Sequence, residues 1–182
     1  MGCSFGPEMT SALIFCFGRM EECFEEANLA LAEREVPVGC AIVDGSGRIL
    51  ATGRNATNRT RNSMCHAEMV ALAQVPLDAD LTGCVLYVTI EPCIMCAAAL
   101  SIVGLTNVVY FARNDKFGGC GSVLDVNNHI ESPWTKLDAK YMPNERAVHL
   151  LQEFFERKNP MTAALNPSSH EVDCCLSQEN HT

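Results

Sequence analysis

Two short stretches of the chain hold side chains that could do chemistry. "CHAEMVAL", Cys65 to Leu72, offers an imidazole at His66 and a carboxyl group at Glu68, and "EPCIMCAAAL", Glu91 to Leu100, offers thiols at Cys93 and Cys96. By itself a C-x-x-C pair reads as a redox dithiol, half of a zinc site or a fragment of helix core, and a lone His as a satisfied helix-start residue. Taken together, one imidazole and two thiolates are the three protein ligands of a catalytic Zn2+, with the fourth position left for water. Two thiolates neutralise the formal charge of the metal, which lowers the pKa of water enough to make a nucleophile near neutral pH. Glu68 is then free to move protons. A closed, structural site fits less well, because the obvious fourth candidate, Cys65, adjoins His66, and successive helical residues point about 100° apart.

Such a site needs elements that bring residues 66, 93 and 96 together. Met20 to Arg34 reads as an amphipathic helix, with Met20, Cys23, Phe24, Ala27, Ala30 and Leu31 at helical spacing between glutamates. "VPVGCAIVD" and "RILATGRN" read as strands joined by the Gly-containing turn "DGSG". A helix over 65–75, a strand "CVLYVTI", a helix over 92–103 and a strand "VVYFA" follow. Pro92 is expected at the first helical position, with Cys93 in the first turn and Cys96 on the same face. Thiols there feel the positive end of the helix dipole and ionise readily. After Phe111 an irregular stretch of more than about 30 residues, with Gly118, Gly119, Gly121 and Pro133, precedes a final helix over 144–158. Alternating strands and helices predict an α/β layered domain.

At 182 residues, 48% hydrophobic and 19% charged, the chain has a globular composition. The run "ALIFCF", Ala12 to Phe17, is too short to span a membrane. Eleven cysteines, an odd number with no secretory signal before them, favour a reducing compartment, cytoplasm and/or nucleus, over a disulfide framework. A net charge of −9 argues against a protein that grips phosphates over its whole surface. Any cationic surface must be local or belong to a partner. Arg48, Arg54, Arg59 and Arg61 crowd one segment and read equally as a basic patch or as a solvated turn. Residues 1–18 are read as an N-terminal segment without fixed structure, 19–158 as one domain carrying the candidate zinc site, and 159–182, which lack Lys and Arg, as a disordered tail. Cys174, Cys175, His170 and His181 in that tail read as incidental exposed groups.

An H-x-E followed by P-C-x-x-C is the signature of the zinc-dependent nucleobase deaminases, in which the Glu is not a ligand. The chain resembles the cytidine and deoxycytidylate deaminase superfamily and, within it, the tRNA adenosine deaminases. "EVPVGCAIV", "GRN", "HAEMVAL", "YVTIEPCIMCAAAL", "VVYFARNDKFGGCGS" and "LLQEFFERK" occur in family order between Glu35 and Lys158. "NDKFGGCGSVL" and "EPCIMCAAAL" are closer to the catalytic subunit of the eukaryotic heterodimeric enzymes than to the bacterial homodimers.

The resemblance implies a three-layer cytidine deaminase-like fold, a central mixed sheet of about five strands with helices on both faces. It implies hydrolytic deamination of adenosine to inosine at the wobble position of tRNA. His66, Cys93 and Cys96 would hold zinc, with Glu68 as proton shuttle. Asn55 would face the target base, a role its carboxamide suits because it offers both donor and acceptor; the rival reading is a turn residue after a strand. Val38, Ala67, Asn114 and Phe155 would complete the substrate set, although Phe154 and Phe155 also read as helix core. Implied partners are the tRNA anticodon loop and a catalytically inactive deaminase-like paralogue, or alternatively a second copy of the chain. A deaminase of free guanine, cytosine or a nucleotide would share every zinc-site residue, and an inert zinc scaffold binding RNA or a partner would share all but the need for Glu68.

Overall fold

The structure, a computed structural model, describes residues 7–129 and 135–157. The two β-branched runs form a hairpin, β1 (Gly39–Val43) antiparallel to β2 (Ile49–Arg54). Asp44 closes its turn by accepting from the amides of Ser46 at 2.9 Å and Arg48 at 3.0 Å. β3 (Val85–Val88) lies antiparallel to β1, while β4 (Asn107–Tyr110) and β5 (Asp138–Tyr141) continue parallel to it, in the order β2-β1-β3-β4-β5. The expected mixed, five-stranded sheet is therefore present.

Alternation along the strands decides the layers. Cys40 and Ile42 of β1, Leu86 and Val88 of β3, and Val108 and Tyr110 of β4 pack with α3 (Ala67–Leu72) and α4 (Ile94–Val103). The residues between them, Ala41, Val43, Tyr87 and Val109, pack with α1 (Pro7–Ala32) and α6 (Glu145–Glu156). Because both faces are covered, β1 is buried along its whole length. Two short helices, α2 (Thr57–Thr60) and α5 (Val126–His129), sit in the connections.

Glycines let these layers touch. A Cβ on Gly39 would lie 2.1 Å from the carbonyl oxygen of Cys23 in α1, and one on Gly53 would lie 2.2 Å from that of Ala67 and 2.7 Å from the amide of Ala71 in α3. The obstacles are backbone atoms, which cannot swing aside as a side chain does. Gly53→Ala should therefore push α3 off β2 and cost about 2 kcal/mol or more, read as a lower urea midpoint with an unchanged m-value.

Three expectations need correction. The first helix begins at Pro7 rather than near Met20, so residues 7–18 of the expected unstructured segment are helical, and it ends at Ala32, before Arg34 turns out of the helix at φ 62°. The α4 helix begins at Ile94 with Cys93 as its N-cap, because Pro92 and Cys93 are drawn into extended pairing with the following loop: Gly119 donates to the Pro92 carbonyl at 2.8 Å, and Cys93 bridges to Gly118. The long stretch after Phe111 holds α5 and β5. β5 is an edge strand, "DAKY", largely exposed, and its polar–apolar alternation runs over only four residues, too few to mark a strand in so irregular a stretch. It is held by the Asp138 amide on the Thr106 carbonyl at 2.7 Å, the Met142 amide on the Tyr110 carbonyl at 2.8 Å, and Tyr141 stacked on Tyr110.

The expected tail over 159–182, with its cysteines, and residues 1–6 lie outside the described residues. Among the described residues no helix is long and apolar enough to cross a membrane.

Candidate active site

His66 and Cys93 occupy equivalent places: each is the N-cap of a helix on the same face of the sheet, in extended conformation, His66 at φ −72°, ψ 160° and Cys93 at φ −66°, ψ 165°. An N-cap side chain normally bonds an amide of its own first turn. Neither does so here, which leaves the imidazole and the thiol available to each other. His66 Nδ1 lies 3.5 Å from Cys93 Sγ and 3.6 Å from Cys96 Sγ, the latter fully buried in the first turn of α4.

Among the described residues this trio is the one group of His, Cys or acidic side chains whose donor atoms cluster, all within 4.8 Å of one another. Zinc–sulfur bonds of about 2.3 Å and a zinc–nitrogen bond of about 2.05 Å at a tetrahedral angle require an N···S edge of about 3.6 Å. The donor set and its spacing therefore fit zinc, with one corner of the tetrahedron uncommitted.

The electrostatics follow from packing. Cys93 is held down at about 4 by the hydrogen bond from Cys96, assisted by His66. Cys96 is pushed up, because it donates to Cys93, is buried and faces Glu68. His66 is raised, chiefly by its hydrogen bond with Cys93. Glu68, in the first turn of α3 and 3% exposed, is pushed up to about 7 by burial, with Cys93 adding to the rise. A thiolate is the reactive form of cysteine. In chelator-treated protein, iodoacetamide should therefore label Cys93 before Cys96 and before Cys120, whose thiol burial pushes up to about 12. Peptide mass spectrometry reads the order, and added zinc should suppress labelling of Cys93.

A cleft of 680 Å³ opens over the trio, lined by His66, Glu68 and Cys93 at its floor and by Val38, Asn55, Asn114 and Phe155 around them. Seven of the nine residues singled out from sequence therefore meet in one place. Cys96 is buried beneath the floor, and Ala67 is fully buried, outside the cleft lining. Ala67 contributes its amide, which donates to Asn55 Oδ1 at 3.0 Å. Asn55 thus supplies the cap that His66 does not and also borders the cleft. On the last helix the two phenylalanines divide: Phe154 packs against the core, whereas Phe155 is 69% exposed at the rim. A second depression of 690 Å³ between α1 and α6 contains no such ligand cluster.

The arginine-rich segment is mostly neutralised. Arg48 pairs with Asp44, Arg54 with Glu26 and Glu33, and Arg59 approaches Glu33 at 3.7 Å, so the solvated-turn reading is the better one. Cations at the cleft come instead from Arg113 and Lys116, beside the exposed Phe117, in the loop after β4 that also holds Asn114.

Two buried glutamates also escaped sequence reasoning. Glu35 accepts from the amides of Asn58 at 3.0 Å and Arg59 at 2.7 Å and from the Thr57 hydroxyl, fixing α2. Glu91 accepts from the amides of Asn114, Cys120 and Ser122. Glu91 has one sequence signal, an acid set inside an apolar run next to a proline, "IEP"; Glu35, which follows Glu33 and Arg34, has none.

The chain matches the family model for the cytidine and deoxycytidylate deaminase zinc-binding region over residues 18–112. It is 43% identical to tRNA-specific adenosine deaminase 2 of Xenopus laevis, over 78% of this chain and 86% of that protein. It is 36% identical to the tRNA-specific adenosine deaminase subunit tad2 of Schizosaccharomyces pombe, over 77% of this chain and 37% of that longer protein. A solved structure from work on A-to-I editing by tRNA:A34 deaminases at the wobble position superposes with a TM-score of 0.63 at 30% identity, covering 69% of this chain and 98% of that one. A guanine deaminase from Nitrosomonas europaea superposes with a TM-score of 0.61 at 28% identity, covering 75% and 82%.

Proposed function

The chain belongs to the cytidine and deoxycytidylate deaminase family and, within it, to the tRNA-specific adenosine deaminases; we propose that it converts adenosine to inosine at the wobble position of tRNA by adding water and releasing ammonia. The observation that carries this reading is the His66, Cys93 and Cys96 cluster with buried Glu68 beside it, at the floor of a cleft with an exposed aromatic rim.

His66, Cys93 and Cys96 would hold zinc, which would supply there the acidification that makes water a nucleophile near neutral pH. Glu68 takes the proton that water loses and returns protons to the ring and to the leaving ammonia. Burial disfavours the charged form of Glu68, which helps the carboxyl group to hold a proton between the two transfers. Asn55, with its oxygen engaged by Ala67, presents its amide NH2 as a donor to an acceptor on the purine edge.

The target base must leave its stack to reach this floor, and a base in an anticodon loop does so at low cost. Phe117 and Phe155, 64% and 69% exposed at the rim, offer faces for neighbouring bases, and Arg113 and Lys116 offer charge to phosphates. Two cations are few for a chain of net charge −9, so a more basic partner, a catalytically inactive deaminase-like paralogue, makes most phosphate contacts. The α4 helix has no charged residue and leaves Ile94, Ile102 and Val103 exposed, an apolar face suited to such a partner. A pair of this kind works where thiols stay reduced and tRNA is present, in cytoplasm or nucleus.

A deaminase of free guanine would share the floor but need no aromatic, cationic rim. The test incubates an adenosine-34 tRNA with the chain and its copurifying partner and sequences the product, in which inosine reads as guanosine. Conversion at that position alone supports the reading, and turnover of free bases with tRNA untouched refutes it.

A further inference from the structure

The Glu91 side chain is fully buried, adjoins the ligand segment, and has no part in the chemistry described above. Its carboxyl oxygens are turned to one loop. One accepts from the amides of Cys120 at 3.0 Å and Ser122 at 3.1 Å, and the other from the amide of Asn114 at 3.1 Å and from the hydroxyl of Ser122. The same loop folds so closely over the carboxyl that a Cβ on Gly118 would lie 2.7 Å from Glu91 Cδ. Its residues Asn114, Asp115, Lys116 and Phe117 form one wall of the cleft.

Backbone pairing holds the far side of the loop: the Ile94 amide donates to the Phe117 carbonyl at 2.9 Å and the Gly119 amide to the Pro92 carbonyl at 2.8 Å. Those bonds tie the loop to the helix that carries Cys96. The end nearer the cleft, at Asn114, has a different anchor. Asn114 receives its fixed position from Glu91 twice, through its amide and through its side-chain NH2 on the Glu91 carbonyl at 3.4 Å. Asn114 Oδ1 in turn accepts from the Phe117 amide at 3.1 Å, which sets the turn that displays Lys116 and Phe117.

From this chain of contacts we infer that Glu91 is a positioning residue for RNA capture: its buried carboxyl group moulds the 114–122 loop into the wall that receives the anticodon strand. The inference rests on the tRNA deaminase reading and adds to it a residue that acts on substrate binding through Asn114, apart from zinc and proton transfer.

Glu91→Gln separates these roles. The amide keeps an oxygen for two donors, but its NH2 must face the other two. The Ser122 hydroxyl can turn to accept, whereas the Asn114 amide is left opposite a second donor. KM for an adenosine-34 tRNA should rise about tenfold, with kcat within about threefold of the native value and zinc at the native stoichiometry. Hydrogen exchange should quicken at the Asn114 amide while that of Ile94 stays slow. Ser122→Ala removes one donor and none of the backbone anchors, and should raise KM about twofold to threefold. It decides the matter should Glu91→Gln not fold. An unchanged KM in whichever variant folds, or a fall in kcat and zinc content with KM unchanged, overturns the inference. Failure of the unsubstituted enzyme to make inosine counts against the tRNA reading itself, so the two failures are told apart by that control.

Discussion

Glu68→Gln is expected to lower tRNA deamination by about 10³-fold or more while zinc content stays at the native value. General acid–base catalysis by a placed side chain is worth about 10²–10⁴-fold, and here one group serves water, ring and leaving ammonia in turn. Glutamine matches the shape of Glu68 and its packing in the first turn of α3, so a loss confined to kcat identifies proton transfer as the missing step. A companion measurement has a defined sign. In chelator-treated protein, burial raises the Glu68 pKa from the usual 4.5 to about 7. A raised folded-state pKa gives stability that is present below about pH 4.5 and lost as pH rises through 7. Glutamine does not titrate, so the variant should gain stability relative to the native protein between pH 5 and pH 8, seen as converging or crossing urea midpoints. Loss of zinc together with activity would instead make Glu68 part of the metal site.

His66→Ala or Cys96→Ser should remove the metal and with it both activity and part of the fold's stability. Each change deletes one of only three protein donors, and the remaining pair cannot complete the set. Zinc present at 1,000 times its Kd stabilises by about 4 kcal/mol, which for a domain of this size is on the order of 10 °C in Tm. Cys96→Ser should do the greater structural harm, since this side chain is fully buried in α4 against the core. Mass spectrometry under native conditions reads the zinc, and calorimetry reads the Tm. Zinc retained by either variant would remove that residue from the ligand set.

The His66, Cys93, Cys96 and Glu68 cluster was legible because it is written in side-chain chemistry at fixed spacing: an imidazole, two thiols and a carboxyl group, each at the start of a helix. The strands of the sheet's interior were legible for a related reason, since burial on both faces demands continuous apolar runs such as "GCAIV" and "VLYV". β5 was not, because an edge strand needs no apolar continuity to pair, and the alternation of "DAKY" is only four residues long. Pro92 fits a helix start by local preference, yet the loop at 117–119 pairs with residues 92–94 and moves the cap to Cys93, a contact between segments far apart in sequence. Glu35 and Glu91 were hidden by the same kind of separation. A glutamate ordinarily reads as exposed, and what buries these two is a set of backbone amides more than 20 residues away. Asn55 lines the cleft, but its engagement with Ala67 belongs to the packing of α3 on β2 and has no sequence signature.

The most direct test is the reaction itself. In a tRNA incubated with the enzyme and any copurifying subunit, adenosine-34 should be converted to inosine at that position and no other, in a zinc-dependent manner, and Glu68→Gln should leave it as adenosine. A tRNA that stays unconverted while free guanine or cytosine is deaminated by the same preparation would contradict the account.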